Sequence, residues 1–328
     1  MGVDMQLSER VSRRIKLQDL NIFMRVVEAG SMSKAARHLN ITQPAVSRAI
    51  AELEHVLGVR LLDRHREGVV TTDYGRALIN CGAEVFDSLR QGAREIEFLS
   101  DPTAGEPRIG SIVPLAASFV SAVVDRVTQR FPRMTFDMIT GSTAALLEEL
   151  RGRNVDLLVL RRFGPVQDEH LEFEFLFDDT FIVAASTNHR LARRRQLTLA
   201  ELMDEPWILL PEDTVAGAMA SEAFRAGGLR RPKATVVTLS PEVRFSLLAT
   251  GRFVTILSTS ALRFPSRRRE LTILPVKLPV PAVPNGLVRL KNRTLSPAAT
   301  LFIEHARELA RSSVSGTTKA RSRASSTR

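Results

Sequence analysis

The feature that most constrains this chain is residues 31–54, which read SMSKAARHLNITQPAVSRAIAELE. The pattern predicts two short helices joined by a tight turn at Asn40 and Ile41. Thr42 is suited to cap the second helix, and Pro44 is tolerated in its first turn because N–H groups there lack intrahelical partners. A polar, proline-containing first turn is typical of the recognition helix of a helix-turn-helix, which enters a DNA groove by its N-terminal end.

The neighbouring residues predict the rest of a small helical domain. Apolar residues return at helical spacing from Leu17, and Gly30 ends that helix as a left-handed residue. Ser31 or Ser33 can cap the next helix, residues 34–39. The third helix ends at Gly58, and four of its residues recur on one face and predict a buried stripe. These are Val46, Ile50, Leu53 and Leu57.

Side chains on the opposite face of the third helix predict contacts with double-stranded DNA. Gln43 can bond an adenine edge, Arg48 can reach a guanine or a phosphate, and small hydroxyls can contact either. Two β-like runs, residues 59–62 and 69–71, predict a hairpin wing whose basic turn touches the DNA backbone or the minor groove. The alternative for the wing is a solvated turn. The predicted DNA contacts are Ser33, Thr42, Gln43, Pro44, Ser47, Arg48, Arg64, His65 and Arg66.

Residues 72–99 predict one long helix with a heptad-like apolar seam. Gly82 and Gly92 fill two further seam positions. A helix with such a stripe needs a partner, most simply a second copy of itself, as in a homodimer or homotetramer. The alternative is packing on its own domain. The predicted dimerisation residues are Leu78, Val85, Leu89 and Ile96, and Leu99 continues the seam.

The remainder of the chain predicts an α/β domain. Residues 101–107, DPTAGEP, have the composition of a linker. Strands and helices then alternate in a βαβαβ rhythm, which implies a parallel sheet with right-handed crossovers, and a second such set follows. The last predicted helix is residues 297–311. The tail, residues 312–328, is poor in apolar residues and predicts a disordered basic segment.

The N-terminal motifs resemble those of LysR-type transcriptional regulators. The resemblance covers nearly sixty residues without a gap: AA-x-x-L, QPAVSR-x-I-x-x-LE, LG-V-x-L-L-x-R and TT-x-x-G. It implies a winged helix, a dimerising linker helix, and a two-lobed effector domain similar to type 2 periplasmic binding proteins. Family wings often carry further basic residues, whereas Glu67 follows Arg66 here.

The patterns and the resemblance together give an expected domain plan. The parts are a flexible leader (1–16), a winged helix-turn-helix (17–73), a linker helix (74–100), a hinge (101–107), an effector-binding domain (108–311) and the tail (312–328). Within the effector domain, lobe I comprises 108–179 and 285–311, and lobe II comprises 180–284. The resemblance implies two DNA-binding domains in successive major grooves, an effector that closes the cleft and changes DNA bending, and RNA polymerase as a candidate partner.

Effector contacts are expected where strand ends meet helix starts in the two lobes. Hydroxyls, N–H donors and an arginine at those places favour a small carboxylate or a sugar-like molecule. The alternative is that they are ordinary caps and loop residues. The candidates are Ser111, Ser142, Thr143, Arg161, Leu210, Thr238 and Ser240, with Arg162 and Pro211 as neighbours of two of them.

Charge and cysteine content fit these expectations but do not establish them. The net charge is +10, yet residues 1–75 contain 11 Lys and Arg against 9 Asp and Glu, and residues 311–328 contain 5 against 0. Half of the excess therefore lies in these last 18 residues. A lone cysteine, Cys81, excludes an intrachain disulfide and fits a reducing compartment. With no signal-peptide pattern and no long apolar run, the sequence predicts a cytoplasmic protein without a membrane partner.

Two other classes of protein fit the sequence less well. An enzyme would need a catalytic pattern, but the six histidines form no HExxH pair, and the sequence contains no P-loop and no G-x-S-x-G. We therefore expect no enzyme activity, no metal and no cofactor. A solute-binding protein of a transport system would explain two lobes, but not the helix-turn-helix.

Overall fold

The computed structural model describes residues 11, 13–65, 68–162, 168–263 and 270–325. The chain divides into two compact units, Met1–Ala93 and Arg94–Arg328. Unit 1 contains three helices, a two-stranded hairpin and most of a long fourth helix. In chain order these are α1 (Leu17–Ala29), α2 (Met32–His38), α3 (Gln43–Leu57), β1 (Leu62–His65), β2 (Gly68–Thr71) and α4 (Asp73–Ser100).

Local signals set the ends of the first three helices. Gly30 (φ 64°) and Gly58 (φ 73°) take the left-handed conformation that ends α1 and α3, as predicted. The Thr42 hydroxyl accepts a hydrogen bond from the Ala45 N–H, which confirms that cap. Ser31 precedes α2 but makes no capping hydrogen bond, and α2 starts two residues earlier than predicted.

The core of unit 1 forms where α1 and α3 pack together. Val46 and Ile50 of α3 are fully buried, as is Phe23 of α1, whereas Leu57 is half-buried and packs at the edge. Glu54 accepts hydrogen bonds at Oε1 from the N–H groups of Leu61 (2.8 Å) and Leu62 (3.3 Å). These bonds tie the start of the hairpin to α3.

The hairpin begins later than the sequence pattern predicts. β1 and β2 pair antiparallel from Leu62 opposite Thr71 to His65 opposite Gly68. The prediction of a first strand at residues 59–62 is wrong because the Leu61 N–H bonds Glu54. The strand therefore carries Arg64 and His65 into the wing.

The seam of α4 has two different environments. Leu78 packs against the core of the helix-turn-helix, and Gly82 lies so close to α1 that an added Cβ would sit 2.8 Å from the Met24 sulfur. Leu89, Ile96 and Leu99 are exposed by 51%, 68% and 75%. Leu78 is thus half-buried against its own domain, and its contact with a second copy stays a prediction.

Unit 2 contains two five-stranded mixed sheets. In the first sheet the order is β6-β4-β7-β14-β8, with β4, β6 and β7 parallel and β14 antiparallel to both its neighbours. Its strands are β4 (Arg108–Ser111), β6 (Asp137–Thr140), β7 (Leu157–Arg161), β8 (Leu171–Asp179) and β14 (Val283–Leu290). A small parallel pair, β3 (Ala104–Gly105) and β5 (Arg133–Met134), lies beside it.

Helices cover both faces of this first sheet, which forms lobe I. One face packs on α6 (Thr143–Arg151), and the other packs on α5 (Ser121–Arg130) and α10 (Pro297–Ser325). A short α-helical turn (Val113–Leu115) and a π-helical turn (Ala116–Val120) lead into α5. Strand β8 was not predicted, although its sequence LEFEFLFDD alternates as a half-buried strand does.

The second sheet forms lobe II, in the order β11-β10-β12-β9-β13. Strands β10, β11 and β12 run parallel, and β9 is antiparallel to β12 and β13. The strands are β9 (Phe181–Ser186), β10 (Trp207–Leu209), β11 (Val236–Val237), β12 (Val254–Ser258) and β13 (Leu271–Ile273). The helices are a 3₁₀ turn (Ala200–Leu202), α7 (Val215–Ala226), α8 (Pro241–Ala249) and α9 (Ser260–Arg263).

The end of the chain differs from its prediction. The backbone stays helical from Pro297 through Ser325, so the expectation of disorder after residue 311 is wrong for 312–325. Extending an existing helix fixes the backbone of one residue for each new hydrogen bond, whereas starting a helix fixes several residues for the first bond. Extension is therefore far easier than initiation. Residues 326–328 lie outside the described residues. No helix among the described residues is long and apolar enough to cross a membrane.

Candidate DNA interface and effector cleft

The first turn of α3 presents its polar side chains to solvent. Thr42, Gln43, Pro44 and Arg48 are exposed, and Ser47 is half-buried beside the buried stripe of Val46 and Ile50. The Ser33 hydroxyl donates a hydrogen bond to Oε1 of Gln43 over 3.0 Å. That bond holds the amide at the surface while its NH₂ group and a second lone pair on Oε1 stay available to a partner.

The first turn of α3 also exposes a residue that was not among the predicted DNA contacts. Ala45 is exposed between Pro44 and the half-buried Ser47. A methyl group at this position of a recognition helix can contact the methyl group of thymine. The sequence could have indicated that Ala45 is exposed, because it directly precedes Val46, the first residue of the buried stripe, and is not part of that stripe.

The wing presents an arginine and a histidine to solvent. Arg64 lies opposite Val69 and His65 opposite Gly68 at the tip of the hairpin, and both side chains are exposed. Within the described part of unit 1, neither Arg48 nor Arg64 forms an ion pair, which leaves both guanidinium groups available to phosphate. Arg66 lies outside the described residues.

In unit 2 the predicted cleft falls where the two sheets meet. The C-terminal ends of β4, β6 and β7 lie at one edge of lobe I, and those of β10, β11 and β12 lie at one edge of lobe II. Helix α9 of lobe II contacts the segment Val113–Val120 of lobe I. This juxtaposition of strand ends is the arrangement in which α/β proteins bind small ligands.

A buried ionic cluster joins the lobes at this junction. Arg161 at the end of β7 pairs with Asp179 at 2.8 Å and donates through Nε to Asn285 at 3.3 Å. Asp179 also accepts bonds from lobe II, from the Thr259 hydroxyl (2.7 Å) and from the N–H and hydroxyl of Ser260 (2.9 and 2.6 Å). Burial lowers the pKa of Arg161, which the charge of Asp179 opposes.

Two predicted effector contacts therefore have internal roles. Arg161 is buried and engaged by Asp179, and Ser111 is fully buried with its hydroxyl donating to the Val159 carbonyl at 2.8 Å. The expectation that these side chains touch an effector is corrected. The residue types and sequence positions of Arg161 and Ser111 did not indicate internal roles, because the residues that they bond lie far away in the sequence.

Most of the other candidates make local capping or turn contacts. Ser142 and Ser240 accept N–H bonds at the starts of α6 and α8, and Thr238 accepts the Ser240 N–H. The Leu210 carbonyl accepts a 2.6 Å bond from Arg231. Thr143 is exposed beside Ser142. None of these five candidates is buried, so all of them stay predictions as effector contacts.

Among the described residues no group of three His, Cys, Asp or Glu side chains is arranged to hold a metal ion.

Comparison with known protein families identifies the family of this chain. Residues 17–76 match the model of the bacterial regulatory helix-turn-helix protein, lysR family, and residues 100–311 match the LysR substrate binding domain. This chain belongs to the LysR family.

Individual LysR-family relatives agree over most of their length. The chain is 28% identical over 287 residues to the HTH-type transcriptional regulator GbpR of Azospirillum brasilense, covering 87% of this chain and 84% of GbpR. It is 28% identical over 292 residues to the transcriptional dual regulator GltC of Bacillus subtilis strain 168, covering 88% and 96%. These relatives are regulators and give no support to the transport alternative.

Solved LysR-family structures share the fold. Full-length CbnR in complex with its target DNA aligns with a TM-score of 0.51 at 19% identity, covering 90% of this chain and all of CbnR. The fold predicted here is confirmed: a winged helix-turn-helix, a linker helix and a two-lobed α/β domain. The chain is a DNA-binding transcriptional regulator with an effector-binding domain.

Proposed function

We propose that the regulator reads DNA in the major groove with the first turn of α3. Gln43 contacts an adenine, Arg48 a guanine or a phosphate, and Ser47 a base or phosphate nearby. Ser33, Thr42 and Pro44 border the site, and Arg64, His65 and Arg66 of the wing contact the backbone. The observation that carries this proposal is the exposed Gln43 amide, which Ser33 holds opposite a fully buried stripe.

A selection experiment tests this proposal. Binding sites are selected from a random duplex library with the full-length protein, and affinity is then measured for the selected and a scrambled duplex. We expect selected duplexes to bind at least about 1,000-fold more tightly at physiological salt. An equal affinity for both duplexes would contradict sequence-specific recognition by α3.

The effector is proposed to bind between the lobes, as a small carboxylate or a sugar-like molecule. Thr143 and the cap Ser142 lie at the surface of lobe I, and Ser240 begins α8 in lobe II. Binding closes the cleft, and the Asp179 cluster supports this because it links the two sheets at the junction. Closure in turn changes how two DNA-binding domains bend DNA. Footprints that stay identical with and without an effector would contradict this switch.

Self-association is proposed to use the exposed part of the α4 seam. Val85 is half-buried, and Leu89, Ile96 and Leu99 are exposed apolar side chains on one long helix. A stripe of this kind is stable when a second copy covers it, which favours a homodimer and, through further contacts, a homotetramer. The proposed partners are thus DNA, an effector, a second copy and RNA polymerase. The proposed location is the cytoplasm, where bacterial DNA lies.

A further inference from the structure

Arg244, in the second turn of α8, is a half-buried cation for which the described residues supply no counter-charge. Among the described residues, none accepts a hydrogen bond from its Nε, which is shielded from solvent. Burial alone lowers the pKa of Arg244, with no opposing carboxylate. The two loops of unit 2 outside the described residues, 163–167 and 264–269, contain no Asp or Glu and cannot supply one.

Two buried arginines and a half-buried arginine of the same unit have partners. Arg161 pairs with Asp179 at 2.8 Å, and Arg293 pairs with Asp156 at 3.0 Å. Arg231 contacts Glu212 at 3.1 Å and donates to the Leu210 carbonyl at 2.6 Å. A desolvated charge that lacks a partner destabilises a fold, so a protein keeps one where a ligand completes it.

The surroundings of Arg244 indicate what kind of ligand that is. Helical side chains lean toward the N-terminus, which places this guanidinium over the Ser240 turn at the C-terminal edge of the lobe II sheet. The N-terminus of α8 adds positive potential there, and the exposed Glu242 of the same turn, which accepts the Ser240 hydroxyl, adds one negative charge. Nearby at the same edge, Val215, Leu239 and Val243 are exposed apolar side chains (56%, 62% and 44%).

We propose that Arg244 pairs with the carboxylate of an organic anion that carries an apolar body. This inference rests on the proposed effector-binding function of the cleft and narrows its ligand class to anions, against a neutral sugar. The guanidinium binds the carboxylate oxygens through two N–H groups, and the apolar side chains contact the rest of the molecule.

The first test needs no knowledge of the effector. Because Arg244→Met removes an uncompensated charge, it raises the melting temperature of the unliganded full-length protein by about 2–4 °C. Arg230→Met, the same change at an exposed position of lobe II, leaves it unchanged. A lower melting temperature for Arg244→Met would show that the protein already satisfies this guanidinium, and would overturn the proposal.

The second test compares acids with their neutral amides: butyrate with butyramide, succinate with succinamide, and phenylacetate with phenylacetamide. At equal millimolar concentration, at least one acid stabilises the wild type and Arg230→Met more than its amide does. Arg244→Met abolishes that preference and lowers the affinity for the acid by at least about tenfold, as measured by calorimetry. Retention of the preference in Arg244→Met, or its absence from the wild type, would overturn the inference.

Measuring DNA binding with the same preparations distinguishes a failure of the Arg244 inference from a failure of the proposed function. If the wild type and Arg244→Met both bind the selected duplex but show no carboxylate preference, the inference about Arg244 is wrong and the regulator proposal stands. If the wild type binds no duplex with preference, the proposed function is wrong whatever the ligand result.

Discussion

The Ser33 hydroxyl donates to the side-chain oxygen of Gln43 over 3.0 Å, joining α2 to the first residue of the recognition helix α3. Both side chains are exposed, so this bond exists at the surface that we propose meets DNA. A surface hydrogen bond contributes little to folding. Its effect is to hold a flexible amide in one orientation before binding, which reduces the entropy lost when a base is contacted.

Ser33→Ala should therefore weaken specific DNA binding while leaving the fold intact. We expect a loss of about 0.5–1.5 kcal/mol of binding free energy from the lost hydrogen bond. In the background of Gln43→Ala, the same substitution should have a much smaller effect, because there is no amide to orient. Fluorescence anisotropy with the selected duplex measures this cycle, and strictly additive losses would show that the pair is not coupled.

Asp179 is expected to govern the stability of unit 2. Asp179→Asn leaves Arg161 buried without its counter-charge, which should lower the free energy of unfolding by about 3–5 kcal/mol. Glu172→Gln is the matched control, since its ion pair with Arg289 (3.0 Å) is far more exposed and should matter by less than about 1 kcal/mol. Urea unfolding measures both, and similar losses would contradict a special role for the buried cluster.

The sequence predicts features that neighbouring residues determine, but not contacts between residues that are distant along the chain. The ends of α1 and α3 follow from Gly30, Thr42 and Gly58, because those signals act within a few residues. The partners of Arg161 and Ser111 lie 18 and 48 residues away. Nothing local to either residue distinguishes an internal role from a ligand contact.

The α4 seam shows the same limit in another form. Its spacing predicts an apolar stripe, and the stripe is present, but spacing does not say what covers each part. Leu78 is covered by its own domain, whereas Leu89 is exposed. The missing counter-charge at Arg244 is equally invisible in the sequence, because it depends on where every acidic residue of the unit lies.

Lobe II is expected to lose stability below pH 6.5 through His189. This side chain is buried, and burial lowers its pKa below the ordinary value of 6.5, although Glu205 opposes the effect. The unfolded chain then binds a proton that the folded chain refuses. The stabilising contribution is therefore complete above pH 6.5 and is lost as the pH falls toward the folded pKa, at up to about 1.4 kcal/mol per pH unit.

Two variants isolate that contribution. His189→Asn keeps an acceptor for the Leu191 N–H, which bonds Nδ1 over 3.2 Å, and removes the titration. Its stability should depend less on pH between 7.5 and 5.5 than that of the wild type, as measured by thermal melting. His170→Asn, at an exposed site, should match the wild type. Identical pH profiles for all three would contradict the assignment.

Leu89→Glu is expected to disrupt self-association. If a second copy covers this seam, each subunit would bury an unpaired carboxylate, and the dimer dissociation constant should rise by about 100-fold. Ser88→Glu places the same charge beside the seam and serves as the control. Sedimentation velocity measures both, and an unchanged dimer in Leu89→Glu would move the interface elsewhere.

The base preference of Gln43→Ala tests the central claim most directly. Binding to duplexes with every single-base change is measured for the wild type and for the variant. We expect a loss of about 1–3 kcal/mol of discrimination at one base pair in each half-site, with preferences at the other positions retained. A uniform loss across all sequences, or an unchanged profile, would contradict the claim that α3 reads bases through this amide.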